Sequence, residues 1–223
     1  VLVLSLLKSG LAVAGGIMTL IPLMASQVLS KPAMLSLGIG ILYSARGLGA
    51  ALGPLLVKRL FGETSTVLHW SIAASFFLKA GSYLFIANSE NLWTLSFGVA
   101  AATLFGSIIW VFSSALIHLS TPDRYLGRVF SFELAVMTLV MGISNWGVGF
   151  AVDGLGLTFN QVALWMAALV ILPGLFWTGF LTFVRKKLQQ GDCVGSICPI
   201  DPSGFNPLPL VHEGQIEKKV QEK

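Results

Sequence analysis

The sequence predicts an all-α membrane protein with six transmembrane helices, and three observations indicate this fold class. Hydrophobic residues make up 55% of the 223 residues and charged residues only 11%, a composition unlike that of a water-soluble domain. Thirteen charged residues lie in residues 1–184 and eleven in residues 185–223. Six apolar stretches reach the roughly 20 residues that a helix needs to cross a bilayer. We therefore predict a six-span bundle over 1–184 and a disordered cytoplasmic tail over 185–223.

Each predicted span is bounded by polar or turn-forming residues. The links between the spans are short and carry Pro, Gly, Asn or Asp, as at Pro32, Gly62, Asn88, Pro122 and Gly154. Membrane β-strands are excluded because they need only about 10 residues and alternate polar with apolar side chains. The predicted spans are 2–28, 34–57, 66–87, 92–117, 130–152 and 161–184.

Basic residues predict the orientation of the bundle, since Lys and Arg concentrate on the cytoplasmic side of membrane proteins. The first link carries one cation, Lys31, whereas seven lie on the side shared by the second link, the fourth link and the tail. These are Lys58, Arg59, Arg124, Arg128, Arg185, Lys186 and Lys187. We expect a multi-pass protein of the plasma (inner) membrane with both ends in the cytoplasm. Because the chain begins at Val1 within an apolar stretch, we also expect an upstream portion.

Enzymatic and metal chemistry have little support. The three histidines, His69, His118 and His212, have no Ser and carboxylate partners at a catalytic spacing. Cys193 and Cys198 with His212 do not complete a four-ligand zinc site. We expect no enzyme activity, no cofactor, no metal and no nucleic-acid partner.

Ionisable residues within the spans are the first candidates for a solute pathway, because such residues are costly in lipid and face a bundle interior or a water-filled path. Arg46 lies in the middle of the second span, and Tyr43 shares its helical face. This pair suits an anionic or hydrogen-bonding solute; the alternative is an internal ion pair of Arg46. Lys8 and Lys79 are weaker candidates of the same kind.

Trp110 and Asn145, in the fourth and fifth spans, would give the pathway an amphipathic lining for a bulky organic solute. The alternative for such aromatic residues is ordinary packing in the core or against lipid.

Glu133 is a candidate for a cytoplasmic gate. It lies near the start of the fifth predicted span, within reach of several basic residues, and an ion pair there would form and break as the bundle rocks. The alternative is that Glu133 caps the positive end of its helix. The predicted gate partners are Arg124, Arg128, Lys58 and Arg59.

Small residues predict close helix packing in three spans. Gly49 and Gly53 form a GxxxG motif, Gly98 continues the pattern in the fourth span, and Gly147 in the fifth. They also leave a second function open, a half-length membrane scaffold or assembly subunit that binds partner helices without transporting.

Two links resemble loops of the major facilitator superfamily. Residues 53–59 (GPLLVKR) resemble the glycine and basic-residue motif between its helices eight and nine, with Val57 at the usual acidic position. Residues 122–131 (PDRYLGRVFS) resemble the loop between helices ten and eleven of exporters such as enterobactin exporters and macrolide efflux proteins, with Leu126 in place of an arginine.

This resemblance implies the C-terminal half of a twelve-helix transporter. In such proteins two six-helix halves rock around a central site, and each half is a 3+3 inverted repeat. The first and fourth spans would then line the cavity, the second and fifth would meet the other half, and the third and sixth would lie outside. We expect secondary-active export of an organic solute, with the missing N-terminal half or a second copy as partner.

Overall fold

The computed structural model describes the backbone of residues 2–29, 34–61 and 65–189, and the side chains of 7–29, 34–60, 67–119 and 121–184. Apart from short links, these residues are helical, and they contain no strand. The helices are α1 (Leu2–Val13), a 3-10 helix (Gly15–Leu20), α2 (Ile21–Val28), α3 (Leu35–Phe61), α4 (Ser65–Ala87), α5 (Leu92–Ser120), α6 (Asp123–Asp153) and α7 (Phe159–Gln189).

Six helical segments are long and apolar enough to cross a membrane, which confirms the six predicted spans and indicates a multi-pass membrane protein. They are Leu7–Val28, Leu35–Leu60, Val67–Ala87, Leu92–Leu119, Asp123–Asp153 and Phe159–Val184. Helix α6, which forms the fifth span, begins at Asp123, seven residues before the predicted span. Pro122 is at its N-cap, and the helix continues through the basic residues that follow. The predicted tail lies outside the described residues from residue 190 onward.

The first span is interrupted. Between α1 and α2 the chain forms a 3-10 helix, which starts at Gly15 and Gly16 and ends directly before Ile21 and Pro22. Two adjacent glycines favour a break because each costs about 1 kcal/mol in a helix interior. A proline near the start of a helix costs little, since the first amides have no acceptor within the helix.

Glycines set the packing of the middle spans, as predicted. A Cβ on Gly49 would overlap the carbonyl of Ala100, and one on Gly53 would overlap that of Leu104. Helices α3 and α5 are thus closely packed and parallel. Gly147 has open space around it among the described residues, so this glycine does not contribute to packing there.

Helix α4 runs antiparallel to α5: Gly98, early in α5, meets Ile86, late in α4, whereas Gly106 meets Lys79 one to two turns earlier in α4. The α3–α4 and α5–α6 links therefore lie at the same end of the bundle. We call this the basic end, because Lys58, Arg59, Arg124 and Arg128 are there.

The first span packs against the second, the fourth and the fifth, and the fourth packs against the second and the third. The sixth meets the first where a Cβ on Gly10 would come within 2.7 Å of Pro173. The chain divides into two compact units, Val1–Trp177 and Thr178–Lys223, and every contact described here lies within the first.

Candidate functional site

A buried ion pair joins the first and fifth spans. Nζ of Lys8 lies 2.6 Å from Oε1 of Glu133, and the two side chains are only 4% and 3% exposed. The Lys8 ammonium also donates a hydrogen bond to Oγ of Ser114 in α5, at 2.6 Å. Three spans therefore meet at one lysine.

Two aromatic rings lie close to the ammonium group of the same lysine. Its Nζ lies 4.8 Å from the centre of the Trp110 ring and 5.8 Å from that of Phe130. A cation over a ring face is attracted to the ring, most strongly where water is excluded. The pair is thus held in a low-dielectric setting, where removing one partner leaves an uncompensated charge.

This arrangement combines residues that the sequence assigns to two different places. Lys8 and Trp110 are predicted pathway residues, and Glu133 is a predicted gate residue; the structure brings the three together. The alternative role of Glu133 as a helix cap is wrong, because α6 begins ten residues earlier at Asp123.

The other predicted gate residues lie at the basic end, apart from this cluster. Arg124 donates to the hydroxyl of Tyr125 and lies 4.4 Å from the centre of its ring. Arg128, Lys58 and Arg59 are exposed. Glu133 forms its ion pair with Lys8 rather than with these cations.

Where the first span is interrupted, side chains from two other spans form hydrogen bonds with its backbone groups. Ser144 of α6 donates to the carbonyl of Val13 and accepts the amide of Gly16 at 3.2 Å. Tyr83 of α4 donates to the carbonyl of Ala14 at 2.8 Å. A Cβ on Gly16 would lie 2.6 Å from the Ser144 hydroxyl, so only glycine admits this contact without a shift.

Asn145 follows Ser144 on α6 and has a buried Oδ1 without a hydrogen-bond donor among the described residues. Buried amide oxygens are nearly always satisfied. Asn145, a predicted pathway residue, can therefore accept a hydrogen bond from a group that enters the bundle.

Arg46 is half-buried, and its guanidinium lies 6.0 Å from the centre of the Tyr43 ring. The internal ion pair offered as an alternative for Arg46 does not form with a described residue. The two predicted pathway residues Arg46 and Tyr43 thus lie together, apart from the contacts that Lys8 makes with Glu133 and Ser114.

Three hydroxyl groups were missed by sequence reasoning: Ser114, Ser144 and Tyr83. Ser residues commonly bond within their own helix, as Ser82 does to Leu78 at 2.9 Å, so their presence in a span carries little signal. No group of three or more His, Cys, Asp or Glu side chains in the described part of the chain is placed to hold a metal ion.

Comparison with known protein families, with curated proteins and with solved structures finds no match to this chain. Its function therefore has to be inferred from its own charged and polar side chains, from the interrupted span and from the packing of the six helices.

Proposed function

We propose that this chain is the C-terminal six-helix half of a secondary-active transporter of the major facilitator type, which exports an organic solute by alternating access. The interrupted first span carries this proposal. Discontinuous helices lie at the binding sites of many secondary transporters, because a break frees backbone groups and allows the two parts of a helix to move separately. In this bundle the break lies between spans three and five, whose side chains hold it.

The ion pair supplies an interior contact that can change between two states. A buried charge pair is expensive to separate unless each partner finds another. Arg124 and Arg128 lie on the same helix as Glu133, so a shift of the fifth span moves all three together. The predicted gate cations on another helix are Lys58 and Arg59, at the end of α3. In the proposed mechanism Glu133 binds Lys8 in one state and a cation at the end of α3 in the other.

The pairing of the spans supports the 3+3 repeat. In such a repeat the first, second and third spans correspond to the fourth, fifth and sixth. The contact between the first and fifth spans then corresponds to the contact between the fourth and second spans. In the same way, the contact between the third and fourth spans corresponds to the contact between the sixth and first spans. Both contacts of each set are present, as expected of two repeated three-helix units. The packing of the first span against the second has no comparably close counterpart between the fourth and the fifth among the described residues.

The second and fifth spans have the free faces that an interface between halves needs. Only 17% of the most apolar part of the second span and 11% of that of the fifth are buried, against 56% for the third. The glycines of the second and fourth spans, by contrast, are occupied by contacts inside the chain. This favours transport over a scaffold that would use those glycines to bind partner helices.

Efflux from cells that express the gene encoding this chain tests the proposal. Cells are preloaded with a panel of fluorescent organic solutes, and efflux is compared with that of cells lacking the gene. For each exported solute, Glu133→Gln should lower the rate at least tenfold, because the Lys8 ammonium loses its carboxylate. Glu90→Gln, at an exposed carboxyl in the α4–α5 link, is the matched control and should keep the parental rate.

Protein levels in the membrane separate a transport defect from loss of the protein. Export of no solute in the panel, or parental efflux by Glu133→Gln at equal protein level, would contradict the proposed mechanism.

A further inference from the structure

The groups around the Lys8 ammonium are of the kind that recognise an amine. A carboxylate oxygen of Glu133 lies 2.6 Å from Nζ, and the Ser114 hydroxyl accepts a hydrogen bond from Nζ at 2.6 Å. The centres of the Trp110 and Phe130 rings are 4.8 and 5.8 Å from the same atom. Ring faces attract organic ammonium ions, most strongly where water is excluded, and a carboxylate adds the opposite charge. In this structure the chain's own lysine occupies the position of such an ion.

Glu133 keeps acceptor capacity despite its ion pair. It is the one buried acid among the residues that the structure describes. Its Oε1 is at contact distance from the Lys8 ammonium, yet this oxygen accepts no hydrogen bond from a described residue. An ionised carboxylate has room for about four donors, and buried acceptors are nearly always hydrogen-bonded. The carboxylate can therefore receive an N–H donor that Lys8 does not supply.

The cluster is accessible from one side, through the ring of Trp110. This residue is 41% exposed, whereas Lys8 is only 3% exposed. A molecule that approaches α5 there meets an aromatic surface first, and then the buried ammonium and carboxylate. In the proposed transporter the first and fourth spans, which carry Lys8 and Trp110, line the cavity between the halves. A solute would therefore arrive at this side.

Lys8 can give up its position without leaving a buried charge unpaired. It lies close to the start of the first span, Leu7–Val28. That start is toward the basic end of the bundle, because Lys8 meets Glu133 whereas Gly16 meets Ser144, farther from the start of α6. A lysine near the end of a span can extend its ammonium to water. If a second ammonium takes the vacated position, the carboxylate keeps a partner, which avoids the cost of an isolated buried charge.

We propose that Glu133, Ser114, Trp110 and Phe130 form a binding site for an organic ammonium ion with an aromatic frame, and that Lys8 occupies this site when no solute is bound. The ammonium of the solute takes the position of Nζ, and Lys8 withdraws toward the basic end. The inference rests on the proposed transport function, to which it adds the class of the exported solute, an organic cation.

Binding of a simple aromatic amine to the purified chain tests the site. The protein is kept in dodecyl maltoside, an uncharged detergent, and binding of benzylammonium and of its neutral isostere benzyl alcohol is measured by calorimetry. Benzylammonium should bind the parental chain at least tenfold more tightly than benzyl alcohol does. Glu133→Gln should weaken benzylammonium binding at least tenfold, because the carboxylate charge is lost. Glu90→Gln, at an exposed carboxyl, is the matched control and should bind benzylammonium as the parental chain does.

Substitution of Lys8 should have the opposite effect. A group tethered beside its site competes at an effective concentration in the millimolar range, so Lys8→Ala should tighten benzylammonium binding at least tenfold. Lys8→Arg keeps a tethered cation and should stay within about threefold of the parental affinity. Lys8→Gln is a second variant without the charge, and the rise in Tm on adding benzylammonium should be larger for both uncharged variants than for the parental chain. A purely structural ion pair would not make the two partners shift ligand binding in opposite directions.

The ring of Trp110 provides an independent check. Trp110→Leu should weaken benzylammonium binding at least threefold, because the cation loses a ring face. Trp93→Leu is the same substitution in the same helix at a residue that is 76% exposed, and it should leave the affinity unchanged. Equal binding of benzylammonium and benzyl alcohol, or parental affinity in folded Glu133→Gln, would overturn the proposal. Binding by Lys8→Ala but not by the parental chain would overturn the exchange of ammonium groups.

Adding phosphatidylethanolamine to the micelles distinguishes a lipid headgroup from a solute, since both carry an ammonium. We expect benzylammonium binding to stay within about threefold. A loss of tenfold or more would assign the site to the headgroup and overturn the assignment to a solute. Binding in micelles needs no gradient and no second half, so its outcome is separable from that of transport. Efflux without benzylammonium binding would refute this site alone, and binding without efflux would refute the transport proposal alone.

Discussion

Lys8 and Glu133 act as one neutral unit within the bundle. Each charge alone costs several kcal/mol to place in an apolar interior, and attraction between the two offsets this cost only while both are present. The hydrogen bond from Lys8 to Ser114 and the ring of Trp110 add to the compensation. The pair therefore specifies how the first, fourth and fifth spans meet more than it increases the stability of the bundle.

Single and double substitutions should separate these contributions. Lys8→Met and Glu133→Leu should each lower the free energy of unfolding by about 3–5 kcal/mol, because each leaves an unpaired buried charge. The double variant should be within about 1 kcal/mol of the parental chain, because it leaves none. Unfolding in mixed detergent micelles measures all three. A double variant as unstable as the sum of the single ones would show that the two charges are not coupled.

The sequence identifies the unusual residues of this site but not their partners. Arg46, Lys8 and Lys79 are recognisable because a charge is rare in an apolar span, and Glu133 because it is an acid that falls inside a predicted span. That Glu133 meets Lys8 depends on the rotation of α1 and α6 about their axes. Helix rotation follows from packing across the whole bundle, which no local pattern encodes.

At the scale of elements, the six spans were predictable because about 20 apolar residues in a row leave a helix as the main solution in lipid. The interruption of the first span was not predicted, although its signals, Gly15, Gly16 and Pro22, are present in the sequence. Such residues are tolerated in many membrane helices. What makes the break stable here is the pair of hydroxyl groups on Ser144 and Tyr83, which come from distant spans.

Removing either hydroxyl should loosen the interruption. Ser144→Ala and Tyr83→Phe should each cost about 1–3 kcal/mol, since a buried backbone group loses its partner. The amide of Gly16 should exchange its hydrogen faster in Ser144→Ala, which hydrogen-exchange mass spectrometry of the peptide covering residues 13–20 measures. Ser82→Ala is the control, because that hydroxyl bonds only within its own helix. Exchange that is unchanged in Ser144→Ala would show that water or another group holds the break.

At the scale of the whole molecule, charge at the two ends of the bundle predicts its orientation. Basic residues of the second and fourth links gather at one end, and the positive-inside rule places that end in the cytoplasm. The α4–α5 link, with Ser89 and Glu90 but no Lys or Arg, lies at the opposite end.

Labelling of single cysteines checks this orientation. With Cys193 and Cys198 replaced by Ser, Ser89→Cys should react with a membrane-impermeant maleimide in intact cells, because its link faces outward. Asp123→Cys should react only after the cells are permeabilised. Reaction of Asp123→Cys in intact cells and protection of Ser89→Cys would reverse the orientation.

The ion pair between Lys8 and Glu133 also bears on how the protein is made. Lys8 leaves the ribosome well before Glu133, and at about 5–20 residues per second the delay is on the order of ten seconds. Throughout that time the first span carries a lone charge near one end, which discourages release into lipid by less than the roughly 3 kcal/mol that a charge costs near the centre of a helix. The first span should therefore remain beside the insertion machinery until the fifth arrives, so that one contact of the finished bundle governs the order of its assembly.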